Sequence, residues 1–122
     1  MLNTIKAIFK PKLSREAFEA YFHRLPNEVK VSWFRDGKFI VGEVEVDDKH
    51  KFMTQGLNAD DFVEMVNDSV ITYFDIPKNY INLIKSAKTY KPSTFEQKQL
   101  ADLSIKNSSF AFKKNEDVLE LA

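Results

Sequence analysis

The dipeptide Asp36-Gly37 limits what this chain can fold into more than any other feature. Asp-Gly tolerates positive φ at both centres of a two-residue turn, which is the condition for a tight hairpin between the flanking strands. Closing the hairpin on these residues pairs Arg35 with Lys38, Phe34 with Phe39, Trp33 with Ile40 and Val31 with Gly42. Further out, Lys30 faces Glu43 and Val29 faces Val44. Side chains alternate across a strand, so one face collects Val29, Val31, Trp33, Ile40 and Val44. The other face collects Phe34, Phe39, Val41 and the Lys30–Glu43 charge pair. Both faces carry large apolar groups, which a sheet covered on one side does not need.

Two explanations compete for the Phe34, Phe39, Val41 face. A helix upstream of the hairpin, with Phe18, Tyr21, Phe22 and Leu25 at helical spacing, has an apolar stripe to bury and is expected to lie over that face or edge. The alternative is a docking surface for a second chain. The upstream helix opens at Ser14, with Leu13 and Phe18 as a staple pair, and stops at Pro26-Asn27. Residues 2–10 fit a strand or a helix equally well.

Downstream of the hairpin, Lys51–Gln55 reads as a third strand ended by Gly56. Asn58 then caps a helix, with Asp61 reaching back as in a capping box and Leu57 and Phe62 as a second staple. Phe62, Val66, Val70 and Tyr73 or Phe74 form its buried stripe. Pro77 breaks or kinks it, and Lys78–Ala87 continues as a second helical piece. Ser93-Thr94-Phe95-Glu96 is a further capping box, opening a short helix to about Leu103, and Ser109–Lys113 can form a last short strand.

At 122 residues the chain suits one domain with a core that needs no staples. It has no cysteine, which excludes disulfides and thiolate metal sites. No signal-peptide pattern or membrane-length apolar run is visible, and a cytoplasmic location is expected by elimination. The net charge of zero hides an uneven distribution. Residues 1–30 balance at +3 (six basic, three acidic), residues 31–76 at −6 (four, ten) and residues 77–122 at +3 (eight, five). An acidic centre repels phosphates and suits a basic protein partner, unless the charges only solvate a face.

The run VKVSWFRDGKFIVGEVEV, then FMTQG, then LNADDFVEMVNDSVITYF resembles the HicB family of antitoxins. In that family a hairpin is followed by a third strand with a Gln-Gly turn and directly by an acid-rich, capped helix. Phe52-Met53-Thr54-Gln55-Gly56 and Asn58-Ala59-Asp60-Asp61-Phe62 are the matching pieces, and the likeness covers residues 29–74. It implies a partial ribonuclease-H-like sheet with a helix across one face, and a protein that neutralises a small basic ribonuclease toxin by masking its RNA-binding surface. Residues 93–113 are too short and too poor in arginine for the DNA-binding module that many members carry.

The expectation is therefore an α+β fold: a three-stranded antiparallel meander with a long helix packed on it, an N-terminal helix and C-terminal helical segments. Residues 1–28 form an N-terminal extension, 29–76 the HicB-like core and 77–122 a helical segment with a short strand. Partner-binding candidates are Phe34, Phe39, Val41, Glu43, Glu45, Asp47 and Asp48, with Phe39 and Val41 as apolar anchors. A homodimer through the same face is the alternative.

A second alternative is a nucleic-acid regulator using Lys85, Lys88 and Lys91, with Tyr80 and Tyr90 stacking on bases. A solvated lysine face is the plainer reading, because arginine is absent there. Asp36 is explained by the turn and Asp60 and Asp61 by the helix start, while adjacent Asp47 and Asp48 would point to opposite faces of a strand, so these carboxylates are not read as a metal site. His50 beside Asp47, and His23 near a helix end, lack a nucleophile context. No catalytic, cofactor or metal site is expected.

Overall fold

The computed structural model describes residues 15–86 and 89–115, and the readings of residues 2–10, of Leu13 and Ser14, and of Lys88 fall outside them. In chain order come helix α1 (Arg15–Arg24), strands β1 (Glu28–Asp36), β2 (Phe39–Glu45) and β3 (Lys51–Gly56), helices α2 (Ala59–Tyr73) and α3 (Lys78–Ser86), strand β4 (Tyr90–Lys91), helix α4 (Thr94–Ala101) and strand β5 (Asn107–Lys114). The class is α+β, as expected.

The sheet is five-stranded and antiparallel, in the order β3-β2-β1-β5-β4, where a three-stranded meander and one further short strand over Ser109–Lys113 were expected. β5 returns along the free side of β1, pairing Val29 with Phe112 and Val31 with Phe110, and so makes β1 the central strand. That return changes what the hairpin faces.

The hairpin closes two residues away from the expected register. Gly37 has φ +60° and is the first residue of the turn, so the loop is Gly37-Lys38 and the closing pair is Asp36–Phe39. A glycine at the first central position is the type II′ arrangement, in place of the Asp-Gly type I′ turn. Trp33 therefore opposes Gly42, Val31 opposes Val44, and Lys30 opposes Glu45 instead of Glu43. A shift of two keeps the parity of side chains, so both faces keep the expected members.

One side of the sheet carries the core: Val29, Val31, Trp33, Ile40, Val44 and Phe112 are buried with Phe62, Val66 and Val70 of α2. Phe18 and Phe22 of α1 join the same core. Lys114, which shares its side of β5 with Phe112, donates through Nζ to the carbonyls of Phe22 (3.1 Å) and Leu25 (3.0 Å). Tyr21 packs on Tyr80 of α3 with ring centroids 5.0 Å apart, and Arg24 donates to the Phe74 carbonyl at 3.1 Å. The N-terminal helix thus lies with α2 and α3, not over the Phe34 face. Its apolar stripe could be spent on either side, and these polar ties to Lys114 and Phe74, far away in sequence, decide which.

α2 starts as the sequence predicts. Asn58 is extended (φ −153°, ψ −179°), and its Oδ1 accepts from the Asp61 amide at 2.8 Å. Asp61 reaches one residue further back than a capping box, accepting from the Leu57 amide at 2.8 Å. Leu57 itself is exposed and makes no staple. Tyr73 is exposed as well, and Asn67 and Ile71 take buried positions beside Val66 and Val70.

Two glycines let α2 sit down on the sheet. A Cβ on Gly56 would lie 2.5 Å from the Phe62 amide nitrogen and 2.6 Å from its Cα. A Cβ on Gly42 would lie 2.5 Å from Cζ of the Phe62 ring. The start of α2 therefore rests on bare β3 backbone, and the Phe62 ring fills the space above Gly42.

Three polar side chains tie separate segments together. Asn67 holds β4 to α2: its Nδ2 donates to the carbonyls of Tyr90 and Val63, both at 2.9 Å, and its Oδ1 accepts from the Tyr90 amide at 2.7 Å. Arg35 reaches from β1 to the end of α4, donating to the carbonyls of Leu100 (2.6 Å), Asp102 (2.7 Å) and Ile105 (2.7 Å). A guanidinium is well placed there, at the negative end of the helix dipole. Lys114 does the same for α1. Trp33 is buried with no acceptor for its Nε1–H among the described residues, and Arg35 lies over its ring at 5.2 Å.

Gly56→Ala should destabilise the protein by about 3 kcal/mol, because helix backbone must move to admit the methyl group. Gly42→Ala should cost about 2 kcal/mol, since only a ring must give. Urea unfolding of both variants checks the order, and an equal or reversed effect would remove the seating of α2 on Gly56. Arg35→Ala should lose about 2–3 kcal/mol, and Arg35→Lys should recover less than half, because an ammonium cannot span the same carbonyls.

Candidate protein-docking face

All the described helices whose contacts are given pack on the Trp33 side, so the opposite face of the sheet carries no described helix. Alternation assigns it Lys30, Ser32 and Phe34 of β1, Phe39, Val41, Glu43 and Glu45 of β2, and Lys51 and Met53 of β3. Five of the seven expected partner-binding residues therefore share one surface: Phe34, Phe39, Val41, Glu43 and Glu45. Phe34 is 45% exposed and Met53 58%, while Phe39 and Val41 are half-buried. Met53 was not expected there. Its place in β3, two residues from Gln55, made it visible in the same alternation.

The face is divided along the strands. Toward the hairpin turn, Phe34 opposes Val41, with Phe39 beyond it. Toward the other end, Lys51, Glu45 and Lys30 stand side by side on three neighbouring strands. Lys51 Nζ lies 3.6 Å from Glu45 and 3.9 Å from Glu43, and Lys30 Nζ lies 3.9 Å from Glu45. Between the two zones, the hydroxyls of Ser32 and Ser109 are 3.1 Å apart.

The acidic centre of the sequence is not an acidic face. Glu28, Asp36, Glu43 and Glu45 occupy outward strand positions, and so do Lys30, Lys51, Lys91 and Lys113, so four acids meet four bases. Lys30 belongs to the hairpin itself, whereas Lys51, Lys113 and Lys91 join this surface through the pairing of β3, β5 and β4.

Asp47 and Asp48 lie in the β2–β3 connection. Asp47 turns inward on its own loop: its Oδ1 accepts from the amides of Lys49 (2.8 Å) and His50 (2.9 Å), and His50 Nδ1 lies 2.8 Å from both carboxylate oxygens. His50 also packs on Tyr73 at 5.6 Å. This is a turn held by an aspartate.

The lysine-rich segment is divided as well. Lys85 is on α3 and Lys91 on β4. Tyr80 and Tyr90 are buried and cannot stack on bases; Tyr80 packs on Tyr21, and the Tyr90 hydroxyl donates to the Pro26 carbonyl at 2.6 Å. Burial also pushes the Tyr90 phenol well above its ordinary range.

Lys91 and Lys98 line a groove of about 890 Å³ between α2, α3 and the Lys91–Lys98 segment, opposite Asp60 and Glu64. Gln97 donates to Asp60 across it at 3.1 Å. Acids inside a groove weaken any grip on phosphate. No contiguous sequence signal marks this groove, because its walls come from three separate stretches of chain. Among the described residues there is no group of three or more His, Asp or Glu that could hold a metal ion, and no helix long and apolar enough to cross a membrane.

Compared with protein-family models, curated proteins and solved structures, the chain finds no match.

The hydrogen bonds from His50 and Lys49 hold the Asp47 carboxyl below its ordinary value of 3.8. A lowered carboxyl pKa means that the turn is supported above that value and loses support as pH falls through the lowered one. An NMR titration should show the Asp47 carboxyl, with the Lys49 and His50 amides following it, moving below pH 3.8. A midpoint at or above that value would show that the turn does not hold in solution.

Proposed function

We propose that this chain is a non-catalytic protein-binding domain of the cytoplasm that docks a partner through the face of its sheet that carries no described helix. The observation that carries the reading is the apolar zone of Phe34, Phe39, Val41 and Met53 standing outside a complete core. Exposed residues of this size are the usual anchors of a docking surface, and here they adjoin a charged zone toward the far end of the strands. Catalysis is a poorer account, since Asp47 and His50 are spent on each other and on their own turn.

In its narrower form the partner is a small basic ribonuclease toxin, as the likeness to HicB antitoxins implies. Supporting it is the order of parts, with β3 ending in Gln55-Gly56 and running straight into the Asn58-capped α2. Glu43, Glu45, Asp47 and Asp48 would supply the carboxylates. Weighing against it, Lys30 and Lys51 already neutralise the two glutamates, and a face of balanced charge suits a partner of balanced charge.

The test uses the full chain as bait in three forms: wild type, the face variant Phe34→Glu with Met53→Glu, and the groove variant Lys98→Glu. All the altered positions are exposed, so each form should keep its stability within about 0.5 kcal/mol. A stoichiometric protein partner should be held by the wild type and the groove variant, and be lost at least about tenfold from the face variant. A partner that survives the face variant and is lost with the groove variant would overturn the reading.

A further inference from the structure

We infer that the partner on this face is a second copy of the same chain, packed sheet on sheet about a twofold axis that runs parallel to the strands between β1 and β2. The inference rests on the docking reading above and supplies its occupant. The register of the hairpin carries it. At one level of the sheet Lys30 stands beside Glu45, and two pairs further on Phe34 stands beside Val41. An axis along the strands exchanges β1 and β2 between the facing sheets without reversing their direction. Each Lys30 then meets the partner's Glu45, each Glu45 meets the partner's Lys30, and each Phe34 meets the partner's Val41. Apolar zone lies on apolar zone, Lys30 and Glu45 each find an opposite charge, Glu43 meets the partner's Ser32, and Asp36 at the turn meets the partner's Phe39.

The flanking strands agree. The same operation places β3 over β5, so that Lys51 faces the partner's Ala111, Met53 faces its Ser109 and Gln55 faces its Asn107. No like charges are brought together at these positions. The other in-plane axis, perpendicular to the strands at Ser32, does the opposite. It sets Glu28 against the partner's Asp36, acid on acid, and buries charge on apolar surface by setting Lys30 against its Phe34 and Glu45 against its Val41. The near-parallel alignment of the favoured axis is also the common one for two sheets packed face to face. An isologous contact requires a surface that complements itself, and Lys30 beside Glu45 with Phe34 beside Val41 meets that requirement, which a uniformly acidic face cannot.

The decisive experiment reverses one charge in each of two full-length proteins. Lys30→Glu alone leaves acids at positions 30 and 45 of every copy, and Glu45→Lys alone leaves lysines at both. By sedimentation and native mass spectrometry, the wild type should be a dimer, and each single variant should dimerise at least about tenfold more weakly. Mixed in equal amounts, with one protein carrying ¹⁵N, the two variants should form the mixed dimer at close to wild-type affinity. Each chain in that mixture still has its own Lys30–Glu45 pair broken, so recovery reports the contact between chains and not a repaired fold. Phe34→Asp should abolish association in every combination, with circular dichroism confirming that each variant is folded.

A wild-type chain that is monomeric at several hundred micromolar, or variants that fail to recover on mixing, would overturn the inference. So would a dimer indifferent to all three substitutions. Those results leave the docking reading to its own test, because a different protein lost only from the Phe34→Glu, Met53→Glu bait would name another occupant for the same face. Failure of both would remove the face altogether.

Discussion

Everything on the helical side of this protein depends on how closely Phe62 approaches the sheet. The ring occupies the space left by Gly42 and meets Phe112 edge-on at 6.4 Å, and the amide of the same residue sits over Gly56. One residue thereby sets both the height of α2 above the strands and its position along them. Once α2 is placed, Asn67 is level with Tyr90 and can bond both its amide and its carbonyl, which brings β4 to the edge of β5. Gly42 is level with Trp33 across the hairpin, so the indole and the Phe62 ring share the middle of the core. A bulkier residue at either glycine would lift the helix and disturb contacts far from the substitution.

The parts legible in the sequence are those written locally. The Asn58 and Ser93 caps formed as the residues imply, because each bond lies within a few residues of its partner. The faces of the hairpin were legible even though its register was not. Burial follows parity, and parity survives a two-residue slip that Gly37 imposes by taking the first place in the turn. The sheet's true width was not legible. A last short strand over Ser109–Lys113 was legible, but nothing local says that it extends to Asn107–Lys114 and pairs with the free side of β1. The side chosen by α1 was misread for a related reason. An amphipathic stripe says that a helix must be buried, whereas the buried ammonium of Lys114 beneath the end of α1 says where.

Arg35, Asn67 and Lys114 form a class that pattern reading misses. Each is a polar residue that satisfies backbone carbonyls of a segment far off in the chain, and none sits at a spacing that would announce it. Their partners are carbonyls at loops and helix ends, the groups that secondary structure leaves unpaired. A buried carbonyl must find a donor, so these side chains close connections that the helices and strands leave open. The cost of such an arrangement is specificity of a strict kind. A lysine in place of Arg35 keeps the charge and loses the geometry.

The candidate site was the reverse case, since its members were legible and its character was not. Alternation in β1 and β2 alone placed Phe34, Phe39, Val41, Glu43 and Glu45 together. The sign of the surface depended also on the strands that flank the hairpin, and Lys51, Lys91 and Lys113 join Lys30 there to turn an acidic segment into a balanced face. Balance has a mechanical consequence. Neighbouring charges of opposite sign hold one another at 3.6 to 3.9 Å on an exposed sheet, and such pairs contribute little to folding. They are therefore free to exchange partners across an interface at small cost. The buried core lies on the other side of the strands, packed around Phe62 and Trp33, and Phe34 and Met53 stand outside it.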